Sequence, residues 1–252
     1  MKKVLSLITV CCNSEKYIHT ALESVLGQTY PNIEHIIIDG KSTDNTVKIV
    51  QQYETLFCGR MKWISESDEG LYDAMNKGIS MASGDIIGIL NSDDLFCDTF
   101  AIEKVMNIFN KDNSLDAVYA NLYYVSQNNT SRIVRKWITG KQKPFKSGWH
   151  PGHTALFLKK KVYDDYGLYN PDFKRVADFE LMLRVFDKYK IKACYLQEYL
   201  VKMRLGGVTN KKFQNIWKQN IECLKAFQYN NLAVNKFLYP LYRLLPKLTQ
   251  FK

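Results

Sequence analysis

The chain has 252 residues, 46% of them hydrophobic and 24% charged, enough apolar content to bury a core and too much for a disordered polymer. Its formal charge of +10 is uneven: residues 1–100 carry 8 basic and 14 acidic side chains, residues 101–252 carry 27 and 11, so the first part suits cations and the second anions. The early apolar run over residues 4–12 includes Ser6 and Thr9 and is too short to span a bilayer, and no small-residue cleavage site follows it, so a cytoplasmic protein is expected.

Residues 4–10 predict a first strand, followed by a helix in which Ile18, Ala21, Leu22, Val25 and Leu26 keep a 3.6-residue period, closed by Gly27 and Pro31. Residues 33–38 predict a second strand with Asp39 at its carboxyl end. The turn Asp39-Gly40-Lys41-Ser42-Thr43-Asp44-Asn45-Thr46 then enters a helix marked by Val47, Val50, Tyr53 and Leu56. A P-loop is excluded because His35 stands where its first glycine belongs, and no G-x-G-x-x-G follows either strand. Residues 61–65 predict a third strand running into Glu66, Asp68 and Glu69, with a helix from about Leu71.

The fourth strand, residues 86–90, ends in Asn91-Ser92-Asp93-Asp94. Two adjacent carboxylates repel, and a cation, a basic partner or open water must offset that. Ligands collect at the carboxyl ends of strands in open α/β sheets, so the expectation is a divalent cation there with a phosphate beyond it. Asp44 and Asp98 have the simpler reading of helix N-caps.

Beyond residue 115 the pattern shifts to strands over 117–125 and 131–137, joined by a hairpin turn at 127–130. Residues 141–153 form a polar loop expected to be a mobile wall of a site. Pro151-Gly152 argues against His150 and His153 as a zinc pair, and contact of one of them with substrate or phosphate is expected instead. Residues 154–158 predict a strand, and Ala177 opens a helix with Asp178 near its start. That carboxylate either complements the helix dipole or serves as a general base. Glu180 projects about 200° away from it on an ideal helix, so only one of the two can face a site.

Lys202-Met203-Arg204-Leu205-Gly206-Gly207-Val208-Thr209 reads as a basic loop that is either a phosphate contact or a plain turn. Helices follow over 211–229 and 232–245, the second aromatic, basic and interrupted by Pro240 and Pro246. It is expected to pack on the protein's own core, with a membrane surface as the alternative. Residues 201–252 hold ten basic side chains against Glu222 alone, which suits a phospholipid surface, a lipid diphosphate or nucleic acid, or is a solvated basic face. The six cysteines show no C-x-x-C and read as reduced thiols.

Residues 6–10 with Asn13-Ser14, then Ser24-Val25-Leu26-Gly27-Gln28-Thr29-Tyr30, the turn Asp39 to Thr46, the acidic stretch Glu66 to Gly78, the segment Leu90 to Asp94 and the helix from Asp178 to Arg184 occur in an order that resembles the family 2 glycosyltransferases of GT-A fold. The resemblance spans roughly residues 3 to 207. It implies an α/β fold with a Rossmann-like mixed sheet flanked by helices: a catalytic domain over 1–207, with a nucleotide-sugar half at 1–115 and an acceptor half at 116–207, then a basic helical extension at 208–252. It implies a nucleotide-diphosphate sugar donor with Mn2+ or Mg2+, and inverting transfer to a glycan or lipid-linked acceptor. Asp39 and Asp68 would hold the nucleoside, Thr9, Asn13, Asn76, Ser92 and Arg204 would complete the donor site, Asp93 would bind the metal, and Asp178 would be the catalytic base.

Asn91 stands where many relatives of this kind carry a first aspartate. The absence of Q-x-x-R-W and of a membrane-spanning run points to single-residue transfer. The basic C-terminus leaves peripheral contact with an anionic membrane surface open as the alternative to packing on the core. A metal-dependent sugar nucleotidyltransferase stays open as an alternative activity. A nucleic-acid-binding protein also stays open, although the acidic first hundred residues argue against a nucleic acid partner.

Overall fold

The computed structural model describes residues 2–206 and 213–248, the backbone alone for 213–216 and 245–248. The first unit runs β1 (Leu5–Cys11), α1 (Ile18–Leu26), β2 (Ile33–Asp39), α2 (Thr46–Leu56), β3 (Met61–Ser65), α3 (Leu71–Met81) and β4 (Ile86–Ile89). Its strands are parallel in the order β3-β2-β1-β4. Every residue of β1, β2 and β4 is buried because helices cover both faces, which is why these strands are near-continuous apolar runs rather than alternating ones. Gly78 lets α3 lie directly on the sheet: a Cβ there would fall 2.4 Å from Ile8 Cγ2. After β1 the chain moves to one side for β2 and β3, then returns to the other for β4. That reversal opens a crevice above the ends of β1 and β4.

The second unit adds β5 (Leu95–Phe96), α4 (Ala101–Lys111), β6 (Ala117–Val125), β7 (Ile133–Trp137), β8 (Leu156–Lys159), α5 (Lys160–Tyr166), α6 (Ala177–Leu183), β9 (Ala193–Arg204), α7 (Phe213–Tyr229) and α8 (Leu238–Leu248). β8 runs antiparallel to both β4 and β6, so the sheet continues from one unit to the other without a break. β9 pairs parallel with β6, and β5 lies on its outer edge, giving the mixed order β3-β2-β1-β4-β8-β6-β9-β5 with β7 branching from β6. An α/β fold with a mixed sheet flanked by helices, as expected, is therefore observed.

Several elements differ from the sequence expectation. The strand expected at 154–158 begins only at Leu156, because His153–Ala155 form a 3-10 turn. Residues 193–201 carry no recognisable period, yet they form most of β9; its register with β6 shifts beside Asn121, so the alternation of inward and outward residues is broken there. α8 starts at Leu238, six residues later than expected, and Pro240 falls in its first turn, where a missing N–H leaves no hydrogen bond unmade. The expected boundary at 207/208, the residues Gly207, Val208 and Thr209, and the expected helix start at Lys211 lie outside the described residues. No helix among the described residues is long and apolar enough to cross a membrane.

His35 sits at the centre of β2 with no exposed surface, its Nε2 3.0 Å from Thr9 Oγ1 and its ring 5.3 Å from that of Phe57. Burial pushes its pKa down to about 3. A depressed histidine is neutral in the folded state while the unfolded chain protonates near 6.5, so stability is full above that pH and is lost as pH falls toward 3. This residue is expected to contribute a loss of about 1.4 kcal/mol per pH unit through that window. Urea unfolding of His35→Gln between pH 7 and 4 is expected to show a shallower decline than wild type, whatever the variant's stability at pH 7.

Candidate active site

The turns that leave β1, β2 and β4 line a cleft of about 1060 Å³ at the crevice between β1 and β4. Its floor is built by short polar side chains that tie one turn to the next. Asn13 takes a left-handed conformation (φ 49°), which asparagine tolerates, and its Oδ1 accepts from the Thr43 N–H at 2.8 Å while its own N–H donates to Ser42 Oγ at 2.7 Å. Asp39 lies just under this floor, 1% exposed, where it accepts from the Ser42 N–H (3.0 Å) and Ser65 Oγ (2.6 Å). Asp68 lines the cleft and is held by Lys77 at 2.8 Å. Its Oδ2 is 2.8 Å from the place a Cβ on residue 40 would occupy, so a side chain there would push the Asp68 carboxylate from this position.

The cleft thus brings together Asn13, Asp68, Ser92, Asp93, Asp178 and Arg204 among the residues expected at the site. Thr9, Asp39 and Asn76 lie behind it. Thr9 is buried against His35, and Asn76 clamps the backbone of Tyr169, donating to its carbonyl at 2.8 Å and accepting from its N–H at 3.0 Å.

The acidic turn gives its two carboxylates different surroundings, although both residues line the cleft. Asp94 is buried, accepting from Asn91 Nδ2 at 3.0 Å and from the Arg204 N–H at 3.1 Å. Burial, and then the negative neighbour Asp93, push its carboxyl well above the usual carboxylate range. Asp93 is half-buried and faces the cleft; burial raises its carboxyl too, with Arg204 and His153 pulling the other way. Arg204, delivered by the end of β9, donates through Nη2 to Thr20 Oγ1 (2.8 Å) and through Nη1 to the Gln127 carbonyl (3.2 Å), and stacks 4.9 Å over Tyr17.

Two buried polar atoms at this point have no partner: Asn91 Oδ1 and Arg204 Nε. Beside the Asp93 carboxylate, an unsatisfied amide oxygen is a hard ligand awaiting a donor or a cation. Among the described residues no cluster of three or more His, Cys, Asp or Glu side chains forms a metal cage. The residues therefore fit a hard divalent ion held jointly by Asp93, Asn91 and ligand oxygens, rather than by protein alone.

Across the cleft, Asp178 stands in the first turn of α6, and its Oδ1 accepts from the Tyr72 hydroxyl at 2.9 Å. His153 Nδ1 lies 3.5 Å from Asp178 Oδ2, and His153 Nε2 lies 3.4 Å from Asn91 Nδ2. Burial pushes His153 down, so it is neutral, and the amide donor at Nε2 places the ring proton on Nδ1, toward Asp178. Asn91, His153, Asp178 and Tyr72 thus form a line of polar contacts from the acidic turn to the far wall.

The helical separation of Asp178 and Glu180 has the anticipated effect. Glu180 faces inward with no exposure, paired with Arg184 at 3.1 Å and accepting from Asn230 Nδ2 at 2.9 Å, while Arg184 also donates to the Leu168 carbonyl at 2.7 Å. The segment expected to be mobile is pinned: Phe145 is fully buried with its N–H on Asp187 Oδ2 (2.9 Å), and Trp149 Nε1 donates to the Thr139 carbonyl at 2.7 Å. Its end, His150 to His153, forms one wall of the cleft.

A parallel half-sheet with an acidic turn at its switch point, extended by a mixed half that supplies a facing carboxylate, defines a glycosyltransferase of GT-A fold. Residues 6–167 match the model for glycosyl transferase family 2, and the chain belongs to that family. It is 24% identical over 215 residues to a PGL/p-HBAD biosynthesis glycosyltransferase of Mycobacterium bovis, covering 82% of this chain and 79% of the relative. It is 28% identical over 241 residues to the chondroitin synthase of Escherichia coli, covering 94% of this chain but 34% of that longer protein. A mannosyltransferase of Pyrobaculum calidifontis, solved in complex with GDP-Man and Mn2+, shares the fold with a TM-score of 0.66 at 15% identity, over 96% of this chain and 68% of the other.

Removing Glu180 strands the Arg184 charge in the interior, whereas removing Asp178 leaves a cleft open to water. Glu180→Ala is expected to lower stability in urea by about 3 kcal/mol or more, and Asp178→Ala by about 1 kcal/mol. Equal losses would mean that Asp178 is as structural as Glu180.

Proposed function

We propose that the protein moves a single sugar, a hexose or a related residue, from a nucleotide-diphosphate sugar to a hydroxyl of a glycan or lipid-linked glycan, with inversion, in cell-surface polysaccharide assembly. The reading is carried by one observation: Asp93 with the unpaired Asn91 oxygen on one wall of the cleft, and Asp178 on the other. In this reading residues 1–115 hold the donor and residues 116–207 shape the acceptor side. Asn13 and Asp68 meet the nucleoside, with Asp39 ordering the turn beneath them. Asp93 and Asn91 would hold Mn2+ or Mg2+, which supplies positive charge to a diphosphate leaving group. Ser92 and Arg204 face the same diphosphate oxygens, the free Arg204 Nε offering a charge-assisted hydrogen bond.

Asp178 takes the proton from the acceptor hydroxyl as its oxygen forms a bond to the anomeric carbon. The bond from that carbon to the diphosphate oxygen breaks on the opposite face, and the nucleoside diphosphate leaves with the electron pair. The Tyr72 hydroxyl donates to the Asp178 carboxylate, and His153 Nδ1 lies 3.5 Å from it, so both hold it toward the cleft, which favours the near-attack geometry.

Thermal melts with a panel of nucleotide sugars and Mn2+ test the donor side, and product release tests the chemistry. Asp93→Ala is expected to abolish the Mn2+-dependent shift. Asp178→Asn is expected to keep the shift and to lose transfer by about a hundredfold or more. Full transfer by Asp178→Asn would remove the base, and pyrophosphate release in place of nucleoside diphosphate would favour a sugar nucleotidyltransferase.

A further inference from the structure

α8 has an inward side that is firmly docked. Tyr239 is 1% exposed, its ring 5.1 Å from Phe227, and Arg243 Nη1 donates to Asn220 Oδ1 at 2.9 Å while its guanidinium lies 5.9 Å from the Phe179 ring. The turn at Gly148 (φ 81°) abuts the helix so closely that a Cβ would come within 2.4 Å of the Tyr242 carbonyl oxygen. These contacts fix the rotation of α8 about its own axis.

With that rotation fixed, the outward side is apolar where a surface helix is ordinarily polar. Phe237, Leu241 and Leu244 stand at i, i+4 and i+7 with exposures of 88%, 55% and 39%, and Leu238 flanks them at 41%. Packing α8 on the core, as the sequence suggested, accounts for Tyr239 and Arg243 but leaves this second face uncovered. On the adjoining α7, Trp217 (66%) and Ile221 are exposed, as are Lys218 and Lys225.

We propose that the outward face of α8, with the exposed Lys236 beside it and Lys218 and Lys225 on α7, is a docking surface for an anionic phospholipid bilayer. Charge selects this occupant over a neutral protein partner. Among the described residues the exposed charges on and beside these helices are Lys218, Lys225 and Lys236, and the one acid in the sequence over residues 201–252, Glu222, is already paired with Arg175 at 2.8 Å. An apolar stripe with basic neighbours is the pattern that lies in a lipid interface, apolar side chains at the acyl boundary and lysines at the phosphates. Gln219 of α7 and Arg243 of α8 also line the cleft, so the helices that would rest on the bilayer form one rim of the site. A lipid-linked acceptor would then reach Asp178 along the membrane surface. Only that last step rests on the proposed function; the docking itself does not.

The full chain is sedimented with vesicles of phosphatidylcholine alone and of phosphatidylcholine with phosphatidylglycerol, without donor or acceptor. Wild type is expected to pellet with the anionic vesicles only. Phe237→Glu/Leu241→Glu is expected to weaken that binding by about fivefold or more while keeping the wild-type melting temperature, because both side chains face solvent. Phe237→Ser/Leu241→Ser, which adds no charge, is expected to weaken it in the same direction. Wild type left in the supernatant with anionic vesicles overturns the proposal. So does binding by both variants within about fivefold of wild type, or light scattering that shows a wild-type dimer which the substitutions dissociate. Retention of the nucleotide-sugar melting shift by the variants separates failure here from failure of the donor reading.

Discussion

Two neighbouring carboxylates at the end of a buried strand are the constraint around which this structure is arranged. β4 carries Asp93 and Asp94 to a place where both lose water, and desolvation alone raises the protonation tendency of each. The fold resolves the conflict by separating them. Asp94 is buried and takes hydrogen bonds from the Asn91 amide and the Arg204 N–H, while Asp93 stays partly exposed in the cleft. This solution requires β9, because only the end of that strand brings the Arg204 backbone beside Asp94. The mixed half of the sheet is therefore part of the electrostatics of the parallel half, not an appendage to it.

The same turn reaches the opposite wall. Asn91 uses its amide nitrogen for Asp94 and His153 and keeps its carbonyl oxygen unpaired, so a residue that replaces an acid still orders its surroundings. His153 carries the contact on to Asp178, and Tyr72 holds the far side of that carboxylate. Beneath them Glu180, Arg184 and Asn230 lock α6 against α7. The position of Asp178 thus depends on a buried ion pair one turn behind it. α7 and α8 extend the arrangement to the rim, where one side of α8 belongs to the cleft and the other meets the surroundings.

Much of this was legible in the amino-acid order. Buried parallel strands produce continuous apolar runs, and polar residues must gather where those runs end, so β1 to β4 and their acidic turns could be read directly. Helical periodicity separated Asp178 from Glu180 before any coordinates, since 3.6 residues per turn forbids both from facing one site. β9 escaped because bulges break its alternation, and its last residues looked like a glycine-bearing loop. One of His150 and His153 is expected near substrate or phosphate, but the contacts of His153 to Asn91 and Asp178 were not legible, because the three segments are distant in sequence. Tyr72 had the pattern of an ordinary core residue.

The amino-acid order by itself determined the strand-turn-helix units, the acids at their ends and the family pattern, because these depend on local periodicity and on neighbours in sequence. Tertiary structure alone decided that Thr9, Asp39 and Asn76 stand behind the cleft and that Arg204 meets residues nearly two hundred positions away. It also decided which side of α8 is covered. Each of these depends on which strands become neighbours and on how a helix is rotated against its support, and packing between distant segments sets both.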